Sequence, residues 1–211
     1  MENSAKKIAE YLMQIKAIKL QSSNPFTWAS GWKSPIYCDN RKTLSYPPVR
    51  TFICETFSAT VKELYPQAEI IAGVATGAIA HGVLVAEKLK LPFIYVRAEA
   101  KSHGLGNQIE GYFEKGQKVV VIEDLISTGG SSLNAVRALR EAGCEVLGMV
   151  AIFTYGFQKA SEGFIAEKCA LHTLSDYNTL VECAVETGYI GKSEVKTLKK
   201  WRDDPSVWGV K

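Results

Sequence analysis

The feature that most constrains this chain is a set of short, uninterrupted apolar runs, each followed by a glycine-containing turn or a helical pattern. KVVVIE at 118–123 is the clearest, joined by EIIAGV at 69–74, FIYV at 93–96 and VLGMVAIF at 146–153. A strand that is apolar throughout is buried on both faces, which calls for a parallel sheet covered by helices on each side. The intervening segments supply those covers. Residues 78–90 carry helical spacing ended by Pro92, and 132–142 carry it with Gly143 as C-cap. The spacing also predicts a helix from Ser4, as N-cap, through Ile18, and a second after Pro47 and Pro48 with Phe52, Ile53, Phe57, Val61 and Leu64 on one face. Two more are expected over 176–187, closed by Gly188, and over 193–201. The fold class is therefore α/β, a central mostly parallel sheet flanked by helices. With 211 residues the chain suits one well-buried unit, since single cores grow to roughly 250 residues. Its expected parts are an N-terminal helix and hood (1–45), an α/β core (46–175) and C-terminal helices packed on both (176–211).

Composition narrows the partners. Lys and Arg total 25 against 22 Asp and Glu, a bias too weak to argue for nucleic acid, so no nucleic-acid partner is expected. The long apolar stretch 70–86 is broken by Gly73, Thr76, Gly77, His81 and Gly82, which makes it a poor membrane span. The N-terminus mixes both charge signs and lacks the marks of a signal peptide. The 5 cysteines, without a CxxC pair, support neither a disulfide framework nor a zinc knuckle. They read as buried thiols in a reducing compartment, so a cytoplasmic location is expected.

The chemistry concentrates in EDLISTGGS, Glu123 to Ser131. It leaves a buried strand with adjacent carboxylates, Glu123 and Asp124, passes Leu125 and Ile126, and then supplies Ser127, Thr128, Gly129, Gly130 and Ser131 at the start of a helix. Ligands of open parallel sheets bind beyond the carboxyl ends of strands, and backbone amides at a helix start, with hydroxyls beside them, form a nest for a phosphate. The carboxylates suit a neighbouring ribose, accepting hydrogen bonds from its hydroxyls. A plain polar βα turn needs one capping residue rather than this set. The string is neither a Walker loop nor a dinucleotide fingerprint. It resembles the phosphoribosyl-pyrophosphate (PRPP) motif of type I phosphoribosyltransferases.

Two further segments narrow the resemblance to the orotate phosphoribosyltransferase family. RAEAKSHGLGNQIEG, 97–111, brings Arg97, Lys101 and His103 into a glycine-bearing segment suited to a lid over a leaving pyrophosphate. It looks like that family's catalytic loop, whose basic residues reach the neighbouring subunit's site, and the resemblance implies a homodimer in which Arg97, Lys101 and His103 bind PRPP. Ala98 stands where many members carry a further lysine, which leaves Arg41 or Lys42 to replace it. The second segment, FTWASGWKSPIYCDNR at 26–41, resembles the family's substrate hood, with Lys33 near pyrophosphate and the base's carboxylate, Tyr37 over the pyrimidine, and Ser127 contacting orotate. GVATG at 73–77 resembles the turn that holds pyrophosphate through Thr76 and Gly77, although its glycines equally suit close packing. One branch of the family meets the orotate carboxylate with an arginine beyond the next strand, whereas IFTYGFQK here has none. His81 and His172 read as packed or surface residues rather than ligands. The resemblance implies transfer of phosphoribosyl from PRPP to orotate in pyrimidine synthesis, with Mg²⁺ held mainly by PRPP and Lys101, Asp124, Arg97 and His103 in catalytic roles. The rival readings are a phosphoribosyltransferase for another base and a PRPP-sensing regulator.

Overall fold

The computed structural model describes residues 2–28, 31–98 and 108–209. Helix α1 (Glu2–Gln14) begins before the expected cap at Ser4 and ends sooner than the apolar spacing suggests. Lys16 takes a left-handed backbone, φ 55°, which no helix continues, and Ile18 opens strand β1 (Ile18–Leu20) instead of closing the helix. The hood follows as short strands. β2 (Phe26–Thr27) pairs antiparallel with β3 (Lys33–Ser34), and β4 (Ile36–Cys38) pairs antiparallel with β1. A 3-10 turn over Asn40–Ser45 then leads into α2 (Pro47–Leu64), whose prolines occupy the first turn, where their missing N–H is not needed.

The rest alternates as the apolar runs demand: β5 (Ile70–Val74), α3 (Ile79–Leu89), β6 (Phe93–Val96), β7 (Ile109–Glu110), β8 (Lys118–Ile126), α4 (Gly130–Glu141) and β9 (Glu145–Thr154). It closes with α5 (Gln158–Ala166), β10 (Leu171–Asp176), α6 (Tyr177–Glu186) and α7 (Val195–Asp203). The strands from β5 onward form one sheet in the order β10-β9-β8-β5-β6-β7, parallel except where β7 returns along β6. The chain winds outward from β5 to β6 in one direction and from β8 to β10 in the other. The switch point of the topology therefore lies between β5 and β8, where a crevice opens beyond their carboxyl ends.

Strand periodicity divides the core. Val119 and Val121 join Ile70 and Ala72 under Leu133, Val136 and Leu139 of α4, while Val120 and Ile122 join Ile71 on the face covered by Ile53 and Phe57 of α2. The second face also takes up α1, through Ile8 and Leu12, and α7, through Trp201. Trp201 is fully buried, with the rings of Trp28, Tyr155, Phe157 and Tyr177 all within 5.6 Å of its centroid. The hood and the C-terminal helix are thereby fastened to the same aromatic cluster. No helix among the described residues is long and apolar enough to cross a membrane.

Candidate active site

β8 runs further than its apolar core suggests, so Asp124 to Ile126 are extended backbone as well. Extended geometry gives the two carboxylates different neighbours, while they stay close enough for each to shift the other's titration. Glu123 points under α4 and is only 4% exposed. Its Oε1 accepts from the Asp124 N–H at 2.9 Å and its Oε2 from the Ser132 hydroxyl at 2.8 Å. Burial, and then the charge of Asp124, hold its carboxyl well above the usual range. Asp124 borders the crevice, where a Cβ built on Gly77 would collide with its carboxylate. Burial raises Asp124 as well, opposed by the hydrogen bond from Glu123 and the positive charge of Arg41. The structure thus brings Asp124 and Gly77 together across the switch point and keeps Glu123 beneath as a support for the first turn of α4.

Past β8, Ser127 and Thr128 lead to Gly129, whose φ of 81° is natural only to glycine, and α4 then starts at Gly130, earlier than the expected Ser132. No side chain caps this helix, and a Cβ on Gly130 would meet nothing within 4 Å. Its first amides therefore border open space and carry the positive end of the helix dipole. Ile126 is fully buried, and only its backbone borders the loop, accepting from the Tyr155 N–H at 3.1 Å.

Both glycines of the β5–α3 turn are closely packed. Gly73 serves packing, because a Cβ there would press on the Ala78 carbonyl at 2.9 Å and on Phe93 at 3.1 Å. Gly77 allows the close approach of the Asp124 carboxylate. The peptide bond joining Ala75 to Thr76 is cis. Thr76 and Gly77 donate no backbone hydrogen bond among the described residues, whereas the Ala75 N–H is engaged by the Val96 carbonyl at 2.8 Å.

A cavity of about 280 Å³ lies beside this crevice, lined by Thr27, Trp28, Tyr37, Cys38, Leu125, Ser127 and Tyr155. The expected base contacts Tyr37 and Ser127 face each other across it. Tyr37 is 38% exposed and tilts against Phe26 with centroids 5.7 Å apart. Lys33 sits one strand over and donates through Nζ to the Thr27 hydroxyl at 2.8 Å, so it reaches the rim and not the floor. Sequence reasoning missed Trp28 and Tyr155, the apolar walls, whose centroids are 5.1 Å apart. The available signal was that IFTYGFQK ends β9 and runs on past it, and the end of β9 lies beside that of β8. The segment lacking an arginine does reach the pocket, with an aromatic ring.

A buried polar chain braces the crevice from the hood side. Asn40 donates through Nδ2 to the Asp124 carbonyl at 2.6 Å, Thr43 donates to the Asn40 carbonyl at 2.5 Å, and the Thr43 hydroxyl meets His81 Nε2 at 3.0 Å. With the threonine proton already given away, His81 must donate to it, and burial, aided by Arg50, lowers its pKa to about 4. His81 is thus a packed, neutral histidine, and His172 packs edge-on against Tyr65.

At the lid's neck, the Arg97 N–H donates to the Gln108 carbonyl and Gln108 Nε2 returns a bond to the Arg97 carbonyl, each at 2.9 Å. Arg97 also pairs with Glu110 at 3.6 Å. The expected lid residues Lys101 and His103 lie outside the described residues.

A crevice at a sheet switch point, bordered by the start of α4 and by Asp124, suits a type I phosphoribosyltransferase, and the family model described as "Phosphoribosyl transferase domain" matches residues 50–182. An orotate phosphoribosyltransferase of Phocaeicola vulgatus is 60% identical over 99% of this chain and 98% of its own length. The solved orotate phosphoribosyltransferase of Aeropyrum pernix superposes with a TM-score of 0.76 at 27% identity, over 87% of this chain and 99% of that one. The UMP synthase of Leishmania donovani superposes at 0.79 with 26% identity over 95% of this chain, which spans 42% of that longer one. The chain belongs to the orotate phosphoribosyltransferase family, enzymes of pentosyl transfer.

Proposed function

We propose that this chain moves the 5-phosphoribosyl group of PRPP onto N1 of orotate, giving orotidine 5'-monophosphate and pyrophosphate, in the cytoplasm and as a homodimer whose 97–111 loops serve neighbouring sites. The observation that carries the reading is the pairing of two unlike half-sites at one switch point. An uncapped helix start with Asp124 opposite it suits a ribose phosphate, and the adjoining aromatic cavity suits a flat base.

The 5'-phosphate accepts from the amides of Thr128 to Ser131 and from their hydroxyls. Asp124 accepts from the ribose hydroxyls and steadies positive charge at the anomeric carbon as the bond to pyrophosphate lengthens. Glu123 acts through Ser132 and the Asp124 amide, fixing the loop and not the sugar. The amides of Thr76 and Gly77 face the departing pyrophosphate, and Arg97, Lys101 and His103 close over it. Orotate rests against Tyr37 and Ser127, with Lys33 at the rim for its carboxylate. Orotate enters as an anion, so positioning and electrostatics supply most of the rate.

Mg²⁺ prefers phosphate oxygens and retained waters with one or two carboxylates, and Asp124 is the carboxylate that faces the crevice. The donor set fits an ion carried in with PRPP, where it would neutralise pyrophosphate charge. The test is steady-state turnover. Purified protein with PRPP and Mg²⁺ should deplete orotate and release one pyrophosphate per orotate consumed. Turnover with a purine or uracil in its place would favour another base, and PRPP binding without any turnover would favour a regulator.

A further inference from the structure

A pyrophosphate held by the β5–α3 turn meets a turn of sequence VATGA, which offers amides and one hydroxyl but no cation. The hood brings one positive charge toward this crevice. Asn40 is bonded to the Asp124 carbonyl at 2.6 Å, which fixes the 3-10 turn against the crevice. Arg41, the next residue, donates through Nε to Asp39 Oδ1 at 2.7 Å. That bond holds the guanidinium by one edge, and its terminal nitrogens have no hydrogen-bond partner among the described residues. The charge of Arg41 is felt by Asp124, which borders the crevice against Gly77. The other cation of this turn is turned away, since Lys42 Nζ donates to the Lys16 carbonyl at 3.2 Å on the far side of the hood. Lys33 is engaged at the base end by Thr27.

Resting on the phosphoribosyl-transfer reading, we propose that Arg41, aimed by Asp39, is a further pyrophosphate-binding residue of this site and supplies the cation the β5–α3 turn lacks. A guanidinium suits the task because its planar fork pairs with phosphate oxygens two at a time, which an ammonium cannot do. The plain alternative is an exposed ion pair within one turn. The Arg41 side chain is 63% exposed, and such pairs add little to stability. Removing it should therefore leave the fold intact and report on binding alone.

Three variants separate these, Arg41→Ala, Arg41→Lys and Asp39→Asn, each measured for KM of PRPP, KM of orotate and calorimetric binding of pyrophosphate with Mg²⁺. Loss of one charge-assisted contact should raise KM for PRPP and the pyrophosphate Kd about tenfold in Arg41→Ala, with KM for orotate and the melting temperature at wild-type values. Arg41→Lys should recover part of the loss, and Asp39→Asn should show the same pattern more weakly. Unchanged pyrophosphate binding in Arg41→Ala, or a rise confined to orotate, would overturn the assignment. The binding measurement needs no base, so a wild type that fails to consume orotate would sink the proposed reaction while the pyrophosphate comparison still decides the role of Arg41.

Discussion

The two halves of the crevice, the proposed phosphoribosyl and base sides, are built in opposite ways. The phosphoribosyl side is the end of a buried sheet, where Glu123, Ser132 and Gly129 are buried and each conformation is fixed by packing or by a hydrogen bond. The base side is a thin hood of strands no longer than three residues, whose Tyr37 and Lys33 are exposed and whose rigidity is borrowed from Trp28 against the Trp201 cluster. A scaffold that must place charge within tenths of an ångström is buried, and a surface that must choose a base by shape is added on top.

Substitutions should respect this division. Asp124→Asn keeps the shape of the core side and removes its charge, so kcat should fall about a hundredfold or more with the fold retained. An equal loss from a hood substitution would break the comparison. Tyr37→Ala should raise KM for orotate about tenfold through loss of a stacking face, leaving KM for PRPP unchanged. A matching rise for PRPP would mean that the halves are not separable. Gly130→Ala sharpens the core side further. A Cβ there meets no protein atom, and alanine suits a helix better than glycine by up to about 1 kcal/mol, so the melting temperature should hold or rise while KM for PRPP climbs several-fold as the methyl crowds the phosphate.

Glu123→Gln gives the smallest effect and one of definite sign. A carboxyl whose folded pKa is raised by burial gives its full stability below its ordinary value of 4.5 and loses it as pH rises through the folded value. A glutamine does not titrate, and its oxygen and amide can still meet the Asp124 N–H and the Ser132 hydroxyl. The melting temperature of the variant, relative to wild type, should therefore increase steadily with pH above 4.5 in calorimetry. A difference that is flat or shrinking would place the Glu123 charge elsewhere.

The same division explains what the sequence made legible. The central strands β5, β6, β8 and β9 stand out because burial on both faces leaves them continuously apolar. The edge strand β10 did not, because it pairs only with β9 and its sequence LHTLSD is half polar. Short α5 buries only Ala160 and Phe164, too few positions for a periodic signal. In the site, the run from Ser127 to Ser131 was readable as the start of a helix, which α4 bears out at Gly130, because glycine and hydroxyl residues favour that position. The different surroundings of Glu123 and Asp124 were not legible, because the apolar run 118–123 ends at Glu123 while β8 continues through Ile126. Trp28 and Tyr155 are ordinary apolar residues in sequence and become pocket walls only when the C-terminal helix and the hood converge on them. Arg41 and Lys42, indistinguishable as neighbours in sequence, are separated by which carbonyl or carboxylate each can reach.

The most direct measurement is a crystal structure of the protein with orotidine 5'-monophosphate. The 5'-phosphate is expected on the amides of Thr128 to Ser131, the ribose hydroxyls on Asp124, and the pyrimidine against Tyr37 between Trp28 and Ser127. A phosphate seated instead on the β5–α3 turn, or a base lying outside the hood cavity, would contradict the division of labour between sheet and hood.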